Sequence, residues 1–116
     1  MSDHKIIWAN FLHIYQPPTQ FPPMLRRIAE ESYFELTQVL KSSPKAKVTL
    51  NINGSLTELL DQNGLGLLIE QIKELALQGK IEFVGSAKYH PLLPKLPKEE
   101  MRRQIELNNE TNRKYF

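Results

Sequence analysis

Three short apolar runs, each followed by a segment of helical period, constrain this chain more than any other feature of its sequence. The runs are KIIWANFLHI, KAKVTLNING and KIEFVGSA. The first is rich in β-branched and aromatic residues and too short for an ordinary helix, so it reads as a strand; the second is of the same kind. Near-continuous apolar runs mark strands buried on both faces, and such strands are parallel and covered by helices. The expected fold class is therefore α/β, with the order β-α-β-α-β-α.

The intervening segments carry their own signals. MLRRIAEESYFELTQVLKSS places Leu25, Ile28, Ala29, Leu36, Val39 and Leu40 near one helical face, with Arg26, Arg27, Glu30 and Glu31 opposite. SLTE reads as a capping box, in which Ser55 accepts from the backbone N–H of Glu58 and Glu58 reaches back. That helix should stop near Asn63-Gly64. LGLLIEQIKELALQG turns Leu68, Ile72, Leu75 and Ala76 inward and stops at Gly79. The last helix starts with Glu99 and Glu100 in its first turn, where acidic groups suit the helix dipole. Two proline-rich loops, YQPPTQFPP and KYHPLLPKLP, follow the first and third strands.

Composition excludes more than it assigns. A net charge of +2 over 116 residues gives no electrostatic case for nucleic acid or an anionic membrane surface. There is no cysteine, which removes disulfides and thiolate metal sites. The N-terminus has Asp3 and His4 where a secretory leader carries basic residues, and no run approaches the roughly 20 apolar residues of a membrane span. The expected location is the cytoplasm, where the Asn53-Gly54-Ser55 and Asn109-Glu110-Thr111 triplets have no glycosylation meaning.

Three parallel strands make a poor complete domain, because the outer strands leave backbone groups unpaired. The last helix also runs to Phe116 without a stop signal. The expectation is that residues 1–116 are the N-terminal part of something larger, such as a (β/α) barrel of about 250 residues. Self-association, or the remainder of a barrel, would cover the edges.

In parallel α/β folds functional groups gather at the C-terminal ends of the strands. His13, Tyr15 and Gln16 end the first strand, Asn51 and Asn53 the second, and Tyr89-His90-Pro91 follows the third. Each has a structural reading as well as a functional one. His13 is either a binding group or a hydrogen-bonded histidine at the rim of a core. Asn53-Gly54 is also a turn former. Glu82 alternates with Ile81 and Phe83 and so either faces solvent or, on a strand buried on both faces, needs a partner or a purpose. Pro17 and Pro18 cannot donate to a sheet, and Pro17 keeps Gln16 out of helical geometry. A stiff loop after His13 holds the neighbouring side chains in place.

LHIYQPP resembles the first motif of glycoside hydrolase family 57, a histidine followed by Gln-Pro at the end of the first barrel strand. GKIEFVG resembles that family's second motif, a Gly-x-x-Glu strand, and NINGSLTELL and YHPLLPKLP resemble the segments between and after. The resemblance implies an irregular (β/α)7 barrel, of which this chain holds the first three βα units. It implies an α-glucan or maltooligosaccharide substrate and a retaining hydrolase or 4-α-glucanotransferase, with no cofactor and no metal. Retention needs two carboxyl groups about 5–5.5 Å apart. In the family these are a glutamate on the fourth strand and an aspartate on the seventh, so no catalytic residue is assigned within residues 1–116. The motif histidine carries over to His13 and the motif glutamate to Glu82, as groups lining the sugar site, with Gln16 and His90 beside them.

Two other readings stay open. A metal-dependent polysaccharide deacetylase shares a similar barrel, but its chemistry wants His and Asp ligands converging on one ion, and the sequence has no His-x-x-x-His pair to support that. A non-catalytic carbohydrate-binding or scaffold module would keep the sugar-lining residues without the catalytic pair.

Overall fold

The computed structural model describes residues 3–116. Its three strands, β1 (Phe11–Ile14), β2 (Val48–Ile52) and β3 (Ile81–Phe83), form a parallel sheet in the order β1-β2-β3. Phe11, Thr49 and Glu82 share one row of the register, and Leu12, Leu50 and Phe83 the next. Paired residues of parallel strands point to the same side, and side chains alternate along each strand. Leu12, Ile14, Leu50, Ile52, Ile81 and Phe83 therefore face the helices, and all six belong to or pack against the hydrophobic core. Phe11, His13, Thr49, Asn51, Glu82 and Val84 face the other way.

That second face departs from the expectation of strands buried on both sides. Phe11 is 62% exposed, Val84 38%, and Glu82 is exposed as well. Among the described residues the helices pack on one face only. The first strand is also shorter than its apolar run. Upstream of Phe11 the pairing continues through a bond from Thr49 N–H to Asn10 C=O at 2.8 Å, and Ile6, Ile7 and Trp8 lie open to solvent. An apolar run becomes strand only where a neighbour pairs with its backbone.

The first helical segment runs as α1 (Pro22–Ile28), a π-helical stretch (Ala29–Tyr33) and α2 (Phe34–Ser42). Pro22 and Pro23 open it, where the missing N–H groups are lost at no cost. The wider turn rephases the buried stripe to Leu25, Ala29, Tyr33, Thr37 and Leu40. Val39, expected inward on a uniform 3.6-residue period, is 57% exposed for that reason. Lys80, just before β3, donates to the carbonyls of Leu40 (2.6 Å) and Ser43 (2.9 Å) and so ties off the end of α2.

After β2 come α3 (Gly54–Gln62) and α4 (Gly66–Leu77), joined at Asn63-Gly64 as the sequence indicates. Leu56, Leu60, Leu68, Ile69, Ile72 and Leu75 are buried from these two helices. Each fully buried leucine contributes about 1.5–3 kcal/mol relative to an exposed one. Gly79 follows α4 with φ +73°, a conformation that side chains resist, and turns the chain into β3.

The expected Ser55–Glu58 capping box does not form. The helix starts two residues earlier, with Asn53 as its N-cap and Gly54 its first residue, so Ser55 sits inside its first turn with a buried hydroxyl that has no hydrogen-bond partner. Glu58 instead takes the ammonium of Lys88 at 2.7 Å. A 3-10 turn (Leu93–Lys95) leads into α5 (Lys98–Tyr115), which lies along α3.

Candidate functional site

The register that pairs His13 with Asn51 brings the ends of β1 and β2 together on the open face of the sheet. His13 Nδ1 lies 2.6 Å from Asn51 Oδ1, and Asn51 Nδ2 donates to the carbonyl of Val84, just past β3, at 3.2 Å. One amide thus links all three strand ends. His13 Nε2 lies 3.0 Å from His90 Nε2. The Tyr15 ring stacks near that of His13, with centroids 6.3 Å apart, and both rings flank His90, whose centroid is 4.8 Å from each.

The loop after β3 delivers His90 at a definite place. Asn53 Nδ2 donates to Ala87 C=O at 2.8 Å, and Lys88 N–H and Tyr89 N–H are accepted by the Gln104 backbone carbonyl and side-chain oxygen, at 3.1 and 3.2 Å. His90 itself takes φ +53°, uncommon for a residue with a side chain. Such a backbone costs about 1–3 kcal/mol and persists only where its surroundings hold it. Beside it lies a cavity of about 190 Å³ lined by Asn51, Asn53, Ser86, Pro91 and Leu93.

The four residues singled out from sequence therefore separate. His13 and His90 meet. Glu82 faces the same side of the sheet but two rows lower, level with Phe11 and Thr49. There it lines a larger open hollow of about 470 Å³ with Trp8, Asn10 and Lys47, toward the N-terminal ends of the strands. Gln16 leans the other way: its amide donates to Tyr33 Oη at 3.1 Å and accepts from Gln20 Nε2 at 2.7 Å. That contact braces the proline-rich loop against the helix below. Burial holds the Tyr33 hydroxyl above the usual phenol range, with the Gln16 hydrogen bond opposing the shift.

Asn51 is the group that sequence reasoning noticed at a strand end without assigning it to the site. Its signal was present in the pattern: a polar residue one position before the end of a buried strand, in the row of a histidine. Among the described residues no three or more His, Cys, Asp or Glu side chains gather to hold a metal ion, and no helix is long and apolar enough to cross a membrane.

Comparison with known proteins gives a consistent picture. The family model described as "Glycosyl hydrolase family 57" matches residues 10–116. An alpha-amylase of Pyrococcus abyssi is 32% identical over 103 residues, which is 89% of this chain and 16% of that enzyme. A 4-alpha-glucanotransferase of Thermococcus litoralis is 29% identical over 103 residues, again 89% of this chain and 16% of that enzyme. The crystal structure of a 4-alpha-glucanotransferase from Thermococcus litoralis superposes with a TM-score of 0.85 at 27% identity, over 92% of this chain and 17% of that one. The chain thus spans about one sixth of the length of the relatives it matches. With the family model matching all but its first nine residues, the chain belongs to glycosyl hydrolase family 57.

Proposed function

We propose that residues 1–116 form the first three βα units of an irregular (β/α)7 barrel domain that works on α-glucans in the cytoplasm, as a retaining hydrolase or 4-α-glucanotransferase. His13 and His90 contact sugar hydroxyls at the strand ends, Glu82 contacts the sugar from lower on the same face, and Gln16 does so with its remaining N–H. The observation that carries this reading is the convergence of His13 and His90 on the open sheet face, within hydrogen-bond distance of each other. The names of the relatives, alpha-amylase and 4-alpha-glucanotransferase, support the substrate class.

A retaining displacement needs two carboxyl groups about 5–5.5 Å apart. Among the described residues Glu82 is the one carboxylate on this face of the sheet, so in this reading these three strands bind sugar and the displacement is carried by further strands of the barrel. The expected behaviour of the 116-residue chain is weak, saturable binding of maltohexaose with no release of shorter sugars. His13→Ala should weaken that binding by about tenfold, the size of one hydrogen bond, while the melting temperature stays near that of the parent. Titration calorimetry and thermal melts on one preparation test this. Unchanged affinity with lowered stability would make His13 a core-rim residue, and amylose turnover abolished by Glu82→Gln would place the chemistry on this chain.

A further inference from the structure

The direction of a hydrogen-bond chain is set by any member that can act in one way only. The backbone carbonyl of Val84 is such a member, since it only accepts. Asn51 Nδ2 donates to it, so the amide nitrogen faces β3 and the amide oxygen faces β1. That oxygen also only accepts, and it lies 2.6 Å from His13 Nδ1. Nδ1 must therefore carry the proton. In a neutral imidazole the other nitrogen is then bare, so His13 Nε2 is an acceptor. His90 Nε2, 3.0 Å away, is left as the donor to it, and His90 Nδ1 becomes a second bare nitrogen.

From this chain we infer that Asn51 is a positioning residue, which fixes the tautomer and ring direction of His13 and so sets what the His13–His90 pair selects. Imidazole side chains in water favour the opposite tautomer, with the proton on Nε2. Asn51 reverses that preference, and its own amide has little freedom to turn. It is 8% exposed, and a flip would set its NH₂ group against the His13 N–H and its oxygen against the Val84 carbonyl. The consequence is chemical selectivity. With its Nε2 held as a lone pair, His13 takes there a ligand group that donates, such as a sugar hydroxyl, and offers nothing at that nitrogen to groups that only accept, such as ethers, carbonyls and carboxylates. An incoming hydroxyl takes the place of the His90 N–H at His13 Nε2. This selectivity rests on the glucan reading above; the tautomer does not.

Long-range ¹H–¹⁵N correlation spectra of the histidine rings in the 116-residue chain test it, at a pH well above the ordinary histidine pKa of roughly 6.5. A His13→Gln sample assigns the signals. The parent should show His13 with a protonated Nδ1 and a bare Nε2. Asn51→Leu, which removes both amide contacts at similar volume, should move the proton to Nε2. Asn51→Asp keeps an acceptor oxygen and should keep the proton on Nδ1. If Asn51→Leu does not fold, the parent and Asn51→Asp spectra decide alone. A parent ring protonated on Nε2, or a folded Asn51→Leu with an unchanged tautomer, overturns the role of Asn51. A parent with the expected tautomer whose ring nitrogens do not respond to maltohexaose overturns the selectivity and the glucan reading, and leaves the positioning intact.

Discussion

Asn108 Oδ1 accepts the backbone N–H of Gly54 at 2.8 Å, so a side chain of α5 caps α3 from 54 positions further along the chain. The same approach explains why position 54 has no side chain. A Cβ there would stand 3.0 Å from Thr111 Cβ and 3.2 Å from Asn108 Oδ1, so tight that α5 would have to give by a few tenths of an ångström. The backbone leaving β2 is thus anchored to the last helix, one residue from Asn53 and the strand ends of the candidate site.

Removing that cap should destabilise the fold. Asn108→Ala leaves the Gly54 N–H buried without a partner, which costs about 1–3 kcal/mol, whereas Asn108→Asp keeps an acceptor and should lose less. Gly54→Ala should also destabilise, through the Thr111 clash. Urea titrations of the three variants check this, and a change below about 0.5 kcal/mol for Asn108→Ala would show that the contact is not held in solution.

Tyr33 gives a pH dependence of definite sign. Burial raises the pKa of its hydroxyl in the folded chain above the ordinary phenol value of about 10. A group whose folded pKa is raised contributes stability that is full below the unfolded pKa and is lost as pH rises through the folded one. The stability advantage of the parent over Tyr33→Phe should therefore be constant from neutral pH to about 10 and shrink above it. An advantage that grows with alkali would contradict the burial of this hydroxyl.

How much of this was legible in the sequence follows from which forces are local. Strand and helix order, the parallel sheet, the turn at Asn63-Gly64 and the Gly79 stop all come from periodicity and backbone preference, which act within a few residues. The capping box failed because the first turn of α3 is settled by Asn108, a residue no local pattern connects to it. Val39 failed because a single π-helical stretch shifts the face of everything after it. In the candidate site, the strand-end rule points to His13 and His90, which the fold brings within 3.0 Å of each other. The register, a property of two strands together, places Glu82 two rows lower and joins Asn51 to His13.

The open sheet face has a consequence for solution behaviour. Phe11, Trp8 and Val84 expose apolar surface on or beside strands with free backbone edges, which favours association. The 116-residue chain should sediment as a concentration-dependent oligomer, and Phe11→Ser with Val84→Thr should shift it toward monomer. A parent that stays monomeric at high concentration with one cooperative unfolding transition would show that this face needs no cover.

Mapping maltohexaose onto the chain by backbone amide shifts tests the central claim, that the strand ends around His13 and His90 form an α-glucan site. The account expects saturable changes gathered at residues 13–16, 51–53 and 82–91, weakened about tenfold by His13→Ala, and absent when β-linked cellohexaose replaces the α-glucan. No saturable change, or changes confined to the helical side of the sheet, would contradict it.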